Sequence, residues 1–340
     1  MNVEIVVAAA MFVGVVAYAL FGGADFGSGF YDLTAGNARR GAALRTHIDH
    51  HIGPVWEANH VWLIYILVVW WTGFPRSFAA AMDTLILPLL FALLGIVLRG
   101  ASFAFRKYAA TLRQAQVFGA FFATSSVITP FFLGTVAGAI ASGRVPMDGR
   151  GDLWTSWLHP TSIVGGLVAV GTCSFLAGVF LTADAARADR ADLVAYLHRR
   201  TLIVGVVTGL VVFAGLIPLR DDAPTLWEGL TGRALPLMIV SALAGAATLW
   251  LLWTRRYAVA RVTAVVAVGA VITGWGVGQY PWMLVDEVTI SEAAGATATL
   301  WALVVAALLA AIIVLPALGY LFWLTQTQAW TREDEPAPAE

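Results

Sequence analysis

Charge is what this chain of 340 residues has least of. Asp, Glu, Lys and Arg make up 12% of it, against about 25% in ordinary soluble domains. With 59% hydrophobic residues and a mean hydropathy of +0.80, that shortfall excludes an ordinary soluble domain and points to a polytopic membrane protein. Cysteine is almost missing. Cys173 stands alone, which excludes an internal disulfide and any zinc or iron–sulfur site built from thiolates; in an apolar run it reads as a small buried residue. The net charge of -1 leaves no basic stripe, and no nucleic-acid motif is present. The N-terminal flank carries Glu4 and no Lys or Arg. A secretory signal needs a positive flank, so Val3–Tyr31 reads as a retained helix. No long linker or repeat divides the chain. Residues 1–330 read as a single transmembrane domain. Residues 331–340, acidic and rich in Pro and Ala, read as a short disordered tail.

What is present is a series of apolar runs. A membrane span needs about 20 apolar residues, and nine segments qualify: Val3–Tyr31, Pro54–Trp71, Ser77–Arg99, Ala115–Ala141, Pro160–Ala183, Thr201–Leu219, Leu235–Trp253, Tyr257–Tyr280 and Ala296–Trp323. The fold class expected is all-α, with about nine transmembrane helices. Two four-helix bundles plus one peripheral helix would fit that number. Loops after spans one, three, five and seven hold fourteen Lys and Arg residues, and Arg332 in the tail makes fifteen; the other loops hold five. The excess marks the cytoplasmic side, so the N-terminus is expected outside and the C-terminus in the cytoplasm.

The second span is the one the polar chemistry gathers around. PVWEANHVWLIYILVVWW places Glu57, Asn59 and His60 in its first turns, ahead of a run with no charged side chain. A carboxylate there must face protein or water, because hydrocarbon offers it no partner. In the first span, GGADFGSGFYD puts Asp25, Ser28 and Asp32 on one face at i, i+3 and i+7. Gly22, Gly23, Gly27 and Gly29 remove bulk around them, which lets helices approach closely. Asp25 and Glu57 are expected at similar depth near the inner surface, where acids can take a proton and pass it inward. The alternative for each is a structural tie: Asp25 to a neighbour, Glu57 to an arginine such as Arg99 or Arg45. His60 shares a face with Glu57 and is the only histidine clearly inside a span. A bis-histidine haem needs two such imidazoles, so His60 reads as a polar-path residue. Asp83 is expected inside span three, either ending a path or capping a neighbour. Arg99 and Arg106 read as interfacial anchors or partners for the acids. Trp56 and Trp62 offer aromatic faces near an interface.

These residues carry a resemblance. The chain resembles subunit II of the cytochrome bd-type quinol oxidases, including the cyanide-insensitive branch. ADFGSG is similar to the family's FDxGxG segment and places Asp25 on its aspartate. PVWEANHVWL resembles P-x-W-[DE]-x-N-x-V-W-L, matched by Pro54, Trp56, Glu57, Asn59, Val61 and Trp62. LRGASFAFR resembles [FL]-R-x-x-x-F-x-[FY]-R at Arg99, Phe103 and Arg106, and GQYPWMLV resembles G-x-[FY]-P. Two departures stand out. Asp286 and Glu287 occupy positions where the family often has two prolines, and His60 stands where it often has Gln or Glu.

The resemblance implies a haem-free subunit of an enzyme that oxidises quinol and reduces dioxygen to water in the bacterial inner membrane. It implies a heterodimer with a haem-bearing subunit I, which carries haem b and haem d, with small accessory subunits and a structural quinone in some members. It places an acid at Glu57 in a proton path from the cytoplasm, with Asp25 as a weaker correspondence. No cofactor and no metal is expected on this chain itself. The competing reading is a proton-coupled secondary transporter using intramembrane acids; such folds break their helices at mid-membrane around a substrate.

Overall fold

The structure, a computed structural model, describes residues 2–37, 40–52, 56–109 and 111–327. Pro54, at the head of the second motif, and the acidic segment 331–340 lie outside the described residues. Eight helices are long and apolar enough to cross a membrane. A ninth is reached when Trp56–Gly73 and Pro75–Thr84, bent by 118° at their junction, count as one broken span. The chain is an all-α polytopic membrane protein.

The first span runs through α1 (Val3–Ala17), a π-helical turn (Tyr18–Gly22) and α2 (Gly23–Leu33). A short connecting helix, α3 (Ala42–Ile52), leads to α4 (Trp56–Gly73). At about 1.5 Å per residue, α4 is roughly 27 Å long, close to the hydrocarbon thickness. It ends at a corner that its sequence builds. Phe74 leaves helical geometry, and Pro75 starts α5 (Pro75–Thr84) at a position where its missing N–H costs nothing. Trp70 Nε1 donates to Ser77 Oγ at 3.0 Å and Ser77 Oγ donates to the Phe74 carbonyl at 2.9 Å, pinning the bend. The third span is therefore α6 (Ile86–Lys107). It begins nine residues later than the expected Ser77, because Ser77–Thr84 forms the amphipathic helix after the corner. Asp83 is corrected with it: it sits exposed near the end of α5, beside the Gly149 turn, and not inside the third span.

The remaining spans are α7 (Leu112–Ala141), α8 (Pro160–Arg187), α9 with α10 (Ala191–Ala214 and Leu216–Asp222), α12 (Leu235–Trp253), α13 (Tyr257–Gln279) and α15 (Thr297–Thr327). The sixth starts ten residues before the expected Thr201, since the helix carries on past its apolar stretch through Arg199 and Arg200. Three small elements lie between spans: α11 (Pro224–Thr231), α14 (Ile290–Ala293), and a hairpin of β1 (Trp282–Leu284) and β2 (Val288–Thr289). The departure from the proline pair is accommodated in that hairpin. Asp286 takes a positive φ of 60° at the turn and accepts hydrogen bonds from Thr225 Oγ1 at 2.8 and 3.0 Å.

Packing divides the spans. The first span, α6 and α7 pack together, and α12 packs with α13; α8 touches both sets, meeting α2, α7, α9 and α13. The last span, α15, lies against α1 and α4 and is the least buried. Glycines set how near α2 comes to its neighbours. A Cβ on Gly27 would overlap the Cys173 carbonyl of α8, and one on Gly29 would overlap the Ser126 side chain of α7.

Candidate functional site

The buried acids can each be followed to a partner. Asp25, in the first turn of α2, is 4% exposed. Arg99 of α6, 1% exposed, reaches it with both terminal nitrogens, Nη2 to Oδ1 at 2.7 Å and Nη1 to Oδ2 at 3.2 Å. Arg99 Nε donates to Ser126 Oγ of α7 at 2.9 Å. Its guanidinium also lies 4.7 Å from the Phe26 ring centroid and 5.1 Å from that of Phe122. A forked cation, a carboxylate, a hydroxyl and two aromatic faces close the cluster within three helices. Ser28 Oγ donates to the Asp25 carbonyl at 2.6 Å.

Two turns on, Asp32 is 2% exposed and accepts from Arg45 Nε at 2.6 Å and Arg106 Nη1 at 3.0 Å. Arg106 also reaches Asp49 of α3 at 3.4 Å. Both arginines within the sequence's reach of Glu57 are thus committed elsewhere, Arg99 to Asp25 and Arg45 to Asp32. A comparable cluster sits in the other half of the molecule, where Asp184 of α8 pairs with Arg261 of α13 and lies 3.4 Å from Arg187.

Glu57 differs from all of these. It is exposed on α4, and no hydrogen bond or ion pair joins it to Asp25. The two acids, expected at similar depth, point in different directions: Asp25 faces α6 and α7, whereas Glu57 faces out of the chain. The exposed stripe it heads continues through Val61, Ile64, Val68 and Trp71, at i+4, i+7, i+11 and i+14. The opposite side of α4 packs inward. Asn59, 3% exposed, donates from Nδ2 to the Phe21 carbonyl in the π turn at 3.3 Å. His60 donates from Nδ1 to the Trp56 carbonyl at 2.8 Å; a carbonyl only accepts, so Nδ1 carries the proton and a neutral ring keeps its lone pair on Nε2. Its ring stands edge-on to Tyr18, Phe26 and Trp56, with centroids 6.2, 5.9 and 6.0 Å away. Trp56 leans on Phe103 at 5.6 Å. Trp62 is half-buried.

The sequence did not single out several groups that the structure brings in. Ser126, Phe122 and Asp49 complete the arginine clusters, and only tertiary packing places them there. On the face away from the arginine-rich loops, His159 at the start of α8 meets Asp222 Oδ2 through Nδ1 at 2.7 Å, and Ser162 and Ser142 through Nε2 at 2.8 and 3.1 Å. Burial lowers the His159 pKa below its ordinary value, although Asp222 acts in the opposite direction. An apolar cavity of about 570 Å³ opens between the two sets of helices. Tyr18 OH, Trp275 Nε1 and Thr161 Oγ1 belong to residues that line it, and each of these buried atoms has no hydrogen-bond partner. Among the described residues, no group of three or more His, Cys, Asp or Glu side chains could hold a metal ion.

The class that this fold and site define is a helical membrane protein with its buried acids neutralised internally and one acid presented on its flank. The sequence profile of cytochrome bd terminal oxidase subunit II matches residues 3–325, and the chain belongs to that family. A curated relative, cytochrome bd ubiquinol oxidase subunit 2 of Bacillus subtilis (strain 168), is 27% identical over 180 residues, 52% of this chain and 51% of the relative, so that match spans about half its length. A second protein of the same strain, provisionally named a cytochrome bd menaquinol oxidase subunit II, is 23% identical over 338 residues, 94% of this chain and 95% of that one. The fold is that of a chain in the bd oxidase of Geobacillus thermodenitrificans, with a TM-score of 0.80 and 24% identity over 95% of this chain and 98% of that one.

Proposed function

We propose that this chain is the haem-free subunit II of a cytochrome bd-type terminal oxidase in the bacterial inner membrane. In this reading it pairs with a haem-bearing subunit I that oxidises quinol and reduces dioxygen to water. Haem b and haem d stay on that partner. The chain stabilises subunit I and contributes proton uptake from the cytoplasm, so the complex generates proton motive force. The N-terminus lies outside and the arginine-rich loops face the cytoplasm, as the distribution of positive charge favours.

The observation that carries the proposal is Glu57 at the head of the apolar stripe on α4. Hydrocarbon offers a carboxylate no partner, and among the described residues no cation pairs with it. A covering subunit supplies one. Glu57 is then the uptake acid at the subunit boundary. His60, whose Nε2 lone pair can accept a proton, is the next polar group. Asp25, expected as a secondary path residue, is assigned to the scaffold, because Arg99 occupies its carboxylate. Trp56, Trp62 and Arg106 hold the surrounding surface. The cavity between the helix sets suits a structural quinone: its walls are apolar, and Tyr18 OH and Trp275 Nε1 supply donors for the ring carbonyls.

The test is to purify the chain with its companions. A second helical subunit and haem b and d bands should arrive together, and the chain isolated from that subunit should be colourless. Colourless material with no companion would overturn the assignment and favour the transporter. Within the complex, Glu57→Ala should slow quinol-driven oxygen consumption while the helices still insert.

A further inference from the structure

The π turn in the first span sits where α4 crosses it, beside the turn of α4 that carries the exposed acid. A π turn inserts one extra residue and locally widens the helix, which opens its carbonyls to outside donors. Here the donor is Asn59 Nδ2, on the Phe21 carbonyl at 3.3 Å. Asn59 follows Glu57 by two residues, about 200° around the helix at 100° per residue. The amide therefore anchors the back of α4, and the acid occupies the front. Further along, Tyr65, Val69 and Trp70 hold α4 by apolar packing, which is less directional than a hydrogen bond. The apolar residues of α4 lie all round, so hydrophobicity alone does not select one face. The other polar side chain of the turn, His60, closes its Nδ1 bond within α4 itself, on Trp56. Asn59 supplies the directional bond between the two spans at this level.

We infer that Asn59 is a positioning residue for Glu57: its hydrogen bond to the Phe21 carbonyl of the π turn sets the rotation of α4 and aims the carboxylate at the partner subunit. This inference rests on the reading of Glu57 as the proton-uptake acid. Around position 59, the titratable groups on the packed elements are Glu57 and His60 on α4 and Tyr18 in the π turn. Asp25 on α2 is already held by Arg99.

The experiment uses the assembled oxidase and three variants, Asn59→Leu, Asn59→Asp and Glu57→Gln. It measures haem content, quinol-driven oxygen consumption per haem from pH 5.5 to 9, and modification of Glu57 by a hydrophobic carbodiimide, quantified by peptide mass. Asn59→Leu keeps the volume and removes the donor. Its haem-complete complex should turn over about tenfold more slowly, the equivalent of one lost hydrogen bond, with Glu57 modification severalfold lower. Asn59→Asp supplies a donor only while the acid is neutral. Its turnover should approach wild type at low pH and fall as pH rises, a profile that loss of packing would not produce. Wild-type turnover, pH profile and modification in both Asn59 variants would overturn the inference. If Asn59→Leu fails to assemble, the pH profile of Asn59→Asp decides. Wild-type turnover in Glu57→Gln would instead sink the proton-uptake reading, and Glu57 modification in Asn59→Leu would still judge the clamp.

Discussion

Asp25 and Glu57 lie on neighbouring stretches of the same half of the molecule, and the chain treats them in opposite ways. Asp25 meets a forked guanidinium, and Arg99 in turn meets a hydroxyl and two rings, all supplied by α2, α6 and α7. Glu57 meets none of this and stands at the head of an exposed apolar stripe. The lesson is one of reference states. An acid neutralised by its own chain contributes to folding that chain. An acid left open at the head of an apolar stripe has no such tie among the described residues, and in the proposed reading it belongs to the assembly. Asp32 and Asp184, each with arginine partners, fall on the Asp25 side of this division.

Substitutions can break the comparison from its closed side, beginning with the most damaging. Arg99→Leu leaves the Asp25 carboxylate buried and alone. Removing one partner of a buried pair costs about 3–5 kcal/mol, so the variant should yield little folded subunit on size-exclusion chromatography; Arg99→Leu combined with Asp25→Leu should recover a good part of the yield. Gly27→Val forces α2 away from the Cys173 carbonyl. A loss of about 1–3 kcal/mol is expected from overpacking, seen as a lower thermal midpoint in detergent. Asp32→Asn weakens contacts to two arginines that water partly reaches, so the midpoint should fall by less, corresponding to ~1–2 kcal/mol.

The smallest effect expected is a pH dependence at His159. Burial depresses its pKa in the folded state, so the unfolded chain binds the proton more tightly. The stability this residue contributes is then fully present above the ordinary histidine value of about 6.5 and declines as pH falls below it. The thermal midpoint of the wild type should drop between pH 7.5 and 5.5 by more than that of His159→Gln. Equal drops would remove His159 from the account.

Much of the fold is legible in the sequence because hydropathy is a local property. Leu235–Trp253 reads the same in sequence and structure, and the other spans are recognisable from their apolar runs. Span ends were less legible, and two of the misses have plain local reasons. Pro75 opens a helix as well as it ends one, so Ser77–Thr84 merged with the following span although the chain turns by 118° there. Arg199 and Arg200 ended the sixth apolar run while the helix itself continued. The site divides in the same way. Glu57, Asn59 and His60 announce themselves by being polar in an apolar run. That Arg99 belongs to Asp25, 74 residues away, and that Arg45 belongs to Asp32 depend on how the spans pack. Arginines carry no local mark of the acid they will meet. The π turn that receives Asn59 is equally silent, since it depends on the neighbouring helix as much as on Tyr18–Gly22.

The central claim is that the acid left open by this chain is the one that works in the assembly. It is tested most directly by quinol-driven oxygen consumption per haem in the complete complex carrying Glu57→Gln, with the visible spectrum recorded on the same sample. The account predicts unchanged haem b and d bands with turnover reduced about a hundredfold or more, the scale of a lost proton-transfer group. A haem-complete complex turning over at the wild-type rate would contradict it.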